Sequence, residues 1–162
     1  MAVDALLRVS NSQSVAAAST VVSTDVVPLF TGGGVGAVAA LPAQGRDMAP
    51  GEEISAVVFF PVAGAADLTI NIITSATSNM ASPTVVGSSG VIPLAQLTAG
   101  RAPITVNANP AAIKAQAEGQ LYIALQYVTG AGAANTVTAY FMGDADGYSS
   151  KPYYDSAYFV AV

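Results

Sequence analysis

The chain contains no cysteine, no histidine and no tryptophan. Without cysteine there can be no disulfide staple and no thiolate ligand for a metal. Without histidine the commonest general base and the commonest metal ligand are gone. Charge is also scarce: Asp, Glu, Lys and Arg make up 9% of the residues, against roughly 25% in an ordinary soluble domain. The five bases, Arg8, Arg46, Arg101, Lys114 and Lys151, stand singly along the chain, and ten acids outnumber them. A groove for DNA or RNA needs clustered Lys and Arg to neutralise phosphates, so no nucleic-acid partner is expected. No segment reaches the ~20 apolar residues of a membrane helix. The densest run, Ala56-Val57-Val58-Phe59-Phe60, is strand-length and stops at Pro61, so no membrane partner is expected either. Asp4 and the lack of a basic opening segment give no expectation of a secretory signal.

What is present is apolar and small. At 162 residues with 52% apolar content the chain suits one domain with a real core. With so few charges, much of the exterior falls to Ala, Ser, Thr, Gly and Asn. A free monomer with that surface dissolves poorly, whereas a subunit covered by neighbours does not. The dominant period is two, the mark of strands. Leu68, Ile70 and Ile72 alternate with Thr69 and Asn71; Leu121, Ile123 and Leu125 alternate with Tyr122, Ala124 and Gln126; Val137, Ala139 and Phe141 alternate with Thr136, Thr138 and Tyr140. Each pattern turns one face to a core and leaves the other half-polar, as in antiparallel sheets. The glycine-bearing segment 129–135 predicts that residues 121–142 form a hairpin.

Further strands are expected at Ser14–Ala18 and Ser23–Val27 as an N-terminal pair, at Ile54–Phe60 with both faces buried, and at Thr84–Ser88 and Pro103–Val106. Roughly eight strands divided by Gly, Pro and Ser turns predict an all-β, single jelly-roll-like antiparallel sandwich. Helix is confined to a turn or two after Asn109-Pro110, ending at Gly119, and a single turn near Pro93–Leu97. Residues 31–45, nearly charge-free and glycine-rich, read as a long loop. The division is a β-sandwich over residues 1–142 and a C-terminal extended arm over 143–162. Five of the twelve aromatics fall in that arm: Tyr148, Tyr153, Tyr154, Tyr158 and Phe159. Tyrosine gives large contact area at low entropic cost, which makes these five the candidate partner-contact residues. The alternative is that the arm returns as a last strand of its own domain.

No catalytic, cofactor or metal site survives inspection. Gly32-Gly33-Gly34-Val35-Gly36 lacks the Gly-Lys-Ser/Thr ending of a phosphate loop, and Gly130-Ala131-Gly132 leads into a strand where a dinucleotide site needs a helix. Asp144-Ala145-Asp146-Gly147, with Asp155 in twelfth place, resembles the start of a calcium loop. Its sixth place, however, is Ser149 instead of the turn glycine, and Lys151 sits beside the would-be ion. Glu52 and Glu53 point to opposite faces of a strand and cannot act on one bond. Ser88 and Ser89 have no histidine to activate them, and no spacing favours Lys114 or Lys151 in that role. The chain is therefore not expected to be an enzyme, and no cofactor or metal is expected.

Several segments, in order, resemble the head-decoration (cement) proteins of tailed bacteriophages, a family first seen in a Bordetella podovirus. They are Leu7-Arg8-Val9-Ser10-Asn11-Ser12-Gln13-Ser14-Val15, Ser23-Thr24-Asp25-Val26-Val27-Pro28-Leu29, Arg46-Asp47-Met48 with Gly51-Glu52, and Ala66-Asp67-Leu68-Thr69-Ile70. Thr74-Ser75, Ser82-Pro83-Thr84-Val85, Ile92-Pro93, and Leu121-Tyr122-Ile123-Ala124-Leu125-Gln126-Tyr127 with Gly130 and Gly132 complete the set. The likeness covers residues 7–142. Residues 31–45 and 107–119 stand in it as insertions, and the aromatic arm has no counterpart. For the core, the resemblance implies a jelly roll on the outer surface of the capsid in the virion. There it would bind the major capsid protein, bridging its subunits as a structural protein. Homo-oligomers are expected, a dimer first and a trimer second. The other functional expectation is a carbohydrate- or receptor-binding sandwich from a phage tail fibre or adhesin.

Overall fold

The computed structural model describes residues 8–29, 54–109, 112–113 and 120–142. Among these lie nine strands: β1 (Arg8–Val15), β2 (Thr20–Val22), β3 (Val27–Pro28), β4 (Ser55–Phe59), β5 (Leu68–Ser75), β6 (Thr84–Ile92), β7 (Ile104–Asn107), β8 (Tyr122–Thr129) and β9 (Asn135–Met142). Sheet I has the order β1-β9-β4-β7; sheet II has the order β2-β8-β5-β6, with β3 also on β8. All pairings are antiparallel, and the two sheets face each other as a sandwich. Counting β2 and β3 as one interrupted strand, the first strand pairs with the last, the second with the last but one, and so inward to β5 with β6. The all-β sandwich expected from the two-residue period is the observed fold.

The alternation also assigned the faces correctly. Leu68, Ile70 and Ile72 of β5, Ile123 and Leu125 of β8, and Val137, Ala139 and Phe141 of β9 lie buried in one cluster between the sheets, together with Tyr127, whereas Leu121, just before β8, is only half-buried. Ile54, Ala56, Val58 and Phe60 join them from β4 and its flanks. On the opposite face of that strand Val57 is also fully buried, as the doubly apolar pattern predicts, whereas Phe59 is only half-buried.

Two pairings differ from expectation. Residues 121–142 do not form a hairpin: β8 lies in sheet II between β2/β3 and β5, while β9 lies in sheet I between β1 and β4. The segment between them spans the gap between sheets, with Gly130 N–H donating to Asp67 O (2.9 Å) and Ala133 N–H to Ala65 O (3.2 Å). Alternation orients a strand toward a core but does not say which neighbour it pairs with. A five-residue connection crosses the ~10 Å between stacked sheets as easily as it closes a hairpin. The N-terminal segments do not pair with each other either. β1 starts earlier, at Arg8, and pairs with β9, whereas β2 and β3 pair with β8. The chain turns at Ala16–Ser19, where Ser19 Oγ donates to Ala16 O (2.6 Å) and Ala18 takes φ 47°.

Strand β6 runs four residues beyond the expected Ser88. Register shifts opposite Thr69/Asn71 and Ile72/Ile73 bulge it, and Gly90 at φ +65° takes the left-handed conformation that lets the strand continue. A single 3-10 turn over Leu94–Gln96 sits where one was expected. The loop 31–45, most of the helical turn after Asn109, and the arm 143–162 lie outside the described residues.

Candidate interaction surface

The largest buried side chain, Tyr127, reaches from sheet II across the core to β1 of sheet I. Its hydroxyl lies 2.7 Å from Ser10 Oγ, and Ser10 Oγ donates in turn to Gln13 Oε1 (2.7 Å). Ser10 has one proton and gives it to Gln13, so Tyr127 donates to Ser10. Gln13 Nε2 donates to Val22 O (2.8 Å), and its Oε1 also accepts Thr24 N–H (3.0 Å). Burial pushes the Tyr127 hydroxyl far above the usual tyrosine range, and the Ser10 contact offsets only part of that. These groups are spent on each other, so this is a clamp between sheets and not a reactive centre.

The clamp and other local devices also close the strand edges. On the outer side of β1, Asp25 N–H donates to Val9 O (3.0 Å). On β6, Asn109 N–H donates to Val86 O (2.7 Å), and the two register shifts bend the strand. The third and fourth edges are short: β7 has four residues, and β2 and β3 are interrupted. Short, bulged or covered edges discourage addition of a foreign strand.

The outer face of sheet II carries exposed large apolar side chains. Its cross-strand rows follow from the register. Val91 of β6, Thr69 of β5, Val128 of β8 and Thr20 of β2 form one row; Ser88, Asn71, Gln126 and Val22 form the next. In the second row Asn71 Nδ2 donates to Gln126 Oε1 (3.1 Å) and Ser88 Oγ donates to Asn71 Oδ1 (2.7 Å). A third row, Val85, Ile73 and Ala124, is partly roofed by Met80, which packs on Ile73 and Ala124 with Val22, Val26 and Tyr122 around it. Val91, Val85 and Val128 are left 71%, 50% and 37% exposed. On the outer face of sheet I, Phe59 and Tyr140 meet edge to face at 6.0 Å, with Arg8 opposite Tyr140 on β1.

Charge is nearly absent from all of this. Arg8 is the sole charged residue in the nine strands, and none stands on sheet II. Among the described residues only Arg8, Asp25, Asp67 and Arg101 are charged, two of each sign. They cancel, so the formal charge of −5 belongs wholly to the remaining residues.

The five arm aromatics (Tyr148, Tyr153, Tyr154, Tyr158, Phe159) and the Asp144–Asp155 segment lie outside the described residues, as do Gly32–Gly36, Glu52, Glu53, Lys114 and Lys151. Ser88 and Ser89 are described: Ser88 Oγ is held by Asn71, and Ser89 Oγ accepts Ile70 N–H (2.9 Å) and donates to Gly90 O (2.7 Å). Among the described residues no three acids, cysteines or histidines gather as a metal site would require. The valine and amide rows of sheet II were not singled out from sequence. The signal was there, in charge-free strands whose outward positions include Val85, Val91 and Val128. No family model matches the chain, and no curated protein matches it.

Proposed function

We propose that this protein is a capsid decoration (cement) protein on the outer surface of a phage head, where it binds the major capsid protein and bridges its subunits. The observation that carries this reading is a sandwich with a single charge in its nine strands, its edges closed and a broad neutral face left open. A free-living domain of average composition keeps charge on its outward strand positions for solubility; this one keeps almost none, which suits a subunit covered on assembly. The sequence likeness over residues 7–142 supports the same reading. The inward nesting of the antiparallel pairs in two facing sheets is compatible with the jelly roll that the likeness implies.

The mechanism is added contact. A subunit seated across two shell subunits must be released before either can lift, so each footprint raises the barrier to local opening. The aromatic arm supplies an anchor: burying a ring contributes about 1.5–3 kcal/mol gross. The test is co-sedimentation of the purified chain with expanded, empty heads of its phage. Saturable binding that raises the temperature of head disruption supports the proposal. Failure to bind heads, with binding to a glycan or receptor instead, overturns it in favour of the fibre or adhesin reading.

A further inference from the structure

We infer that Met80 is a peroxide-sensitive fastener: oxidation of its thioether to the sulfoxide releases the connection 76–83 from the outer face of sheet II. The inference does not depend on the capsid reading.

With neither cysteine nor tryptophan in the chain, its thioethers are the side chains that peroxide oxidises first. Met80 lies in the connection between β5 and β6. In residues 76–83 only Met80 is buried; Pro83 is half-buried and the other six are exposed. The hydrogen bonds of this stretch run within it or to the end of β5. Met80 N–H donates to Thr77 O (3.0 Å), Asn79 Oδ1 accepts from Thr77 Oγ1 (2.6 Å) and from Ala81 N–H (3.1 Å), and Ser75 Oγ donates to Ala81 O (2.8 Å). One buried side chain therefore fastens the stretch to the sheet, against Ile73 and Ala124. It does so against backbone strain. Met80 at φ 53° and Ser82 at φ 51° hold the left-handed conformation, which is costly for a residue with a Cβ and persists only while packing imposes it. The sulfur is within reach of a molecule as small as peroxide, because Val22, Val26 and Tyr122 around Met80 are only half-buried and the cluster lies outside the core between the sheets. In the step, a sulfur lone pair bonds to one oxygen of hydrogen peroxide and the O–O bond breaks. The proton left on the sulfur-bound oxygen passes to the departing hydroxide, giving water; sulfur is oxidised by two electrons. The product is polar, and the side chains of Ile73 and Ala124 offer it no hydrogen bond, so its burial there is costly. The side chain leaves and the left-handed turn relaxes. Ile73 and Ala124 then join the exposed Val85, their neighbour in the register, as one apolar surface. Thiol-dependent sulfoxide reductases reverse the change.

The experiment is hydrogen peroxide treatment of the full chain, read by peptide mass mapping, thermal melting and binding of an apolar dye, for wild type, Met80→Leu, Met80→Gln and Met142→Leu. Leucine keeps the volume and cannot be oxidised; glutamine places a polar end there without peroxide. Wild type and Met142→Leu, once Met80 is converted, should melt roughly 4 °C or more lower and bind more dye. Met80→Leu should keep its melting temperature and its dye binding through the same treatment. Untreated Met80→Gln should already show the lowered melting temperature and raised dye binding of oxidised wild type. The inference is overturned if Met80 stays unoxidised while the other methionines are converted, or if its sulfoxide forms with no change in melting or dye binding. It is overturned equally if Met80→Leu loses as much stability in peroxide as wild type, or if Met80→Gln behaves as untreated wild type does.

Discussion

Buried hydroxyls are where single residues decide stability in this sandwich. Thr74 and Thr129 lie on sheet II with their Oγ1 atoms buried and without a hydrogen-bond partner. An unsatisfied buried hydroxyl costs roughly 1–3 kcal/mol. Thr74→Val and Thr129→Val keep the shape and remove the group, so each should stabilise by about 1 kcal/mol, read as a higher urea midpoint at unchanged slope. A fall in midpoint would mean that the hydroxyls are bonded. Tyr127 behaves oppositely, because its hydroxyl is paired. Its folded pKa is raised by burial, while in the unfolded chain it titrates near ~10. The neutral form is the one the fold holds, so this contribution is complete below about pH 10 and is lost as pH rises beyond it. Tyr127 phenolate absorbance should therefore appear only together with loss of the β-sheet circular dichroism. Tyr127→Phe should cost about 1 kcal/mol at neutral pH and reduce the decline at alkaline pH.

Two contacts between elements fix how the strands sit. Asn135, fully buried at the start of β9, accepts Ala65 N–H at 2.7 Å through Oδ1 and donates from Nδ2 to Ala66 O at 3.0 Å. It holds the β4–β5 connection against the start of the last strand. Asn135→Ala leaves those backbone groups buried without partners and should destabilise by roughly 2–3 kcal/mol. Asn135→Asp should do as much, since it cannot donate to Ala66 O and adds a buried charge. At the other side, Gly87 of β6 passes so close to β7 that an added Cβ would clash with the Asn107 carbonyl oxygen. Backbone yields poorly, so Gly87→Ala should cost roughly 1–3 kcal/mol by overpacking. Thermal melting of these variants against wild type is the measurement. Wild-type stability in Gly87→Ala would mean that sheets I and II can separate at that edge.

For the molecule as a whole, neutrality is the governing property. A sandwich with balanced, sparse charge and a net −5 carried elsewhere in the chain should lose solubility near its isoelectric point of about 4.2, while its fold persists. Turbidity that appears there, with an unchanged β-type spectrum after redissolution, is the expected outcome. With neither a complete calcium loop nor a complete phosphate loop in the sequence, the melting temperature should not move with calcium or a nucleotide. A ligand at a hundred times its dissociation constant would add about 2.7 kcal/mol, so any real site would be evident.

The sequence by itself determined the fold class, the faces and the neutrality. Hydrophobic alternation is a local property of one strand and fixes which side chains of β5, β8 and β9 turn inward. Composition likewise fixes the absence of thiol, imidazole and clustered charge. Tertiary structure alone decided pairing. Nothing local distinguishes β9 as the neighbour of β8 from β9 as its opposite across the core, because both arrangements bury Val137, Ala139 and Phe141. The choice rests on contacts between residues far apart in the chain, such as Ser10 with Tyr127 and Ala65 with Asn135. The open face was half legible. Charge-free strands forecast a covered surface, but that Val91 and Val128 share a row beside Asn71 and Gln126 depends on register between β6, β5 and β8. Register is set by bulges and by the loop that carries Met80, which act through space and leave no periodic trace in the sequence.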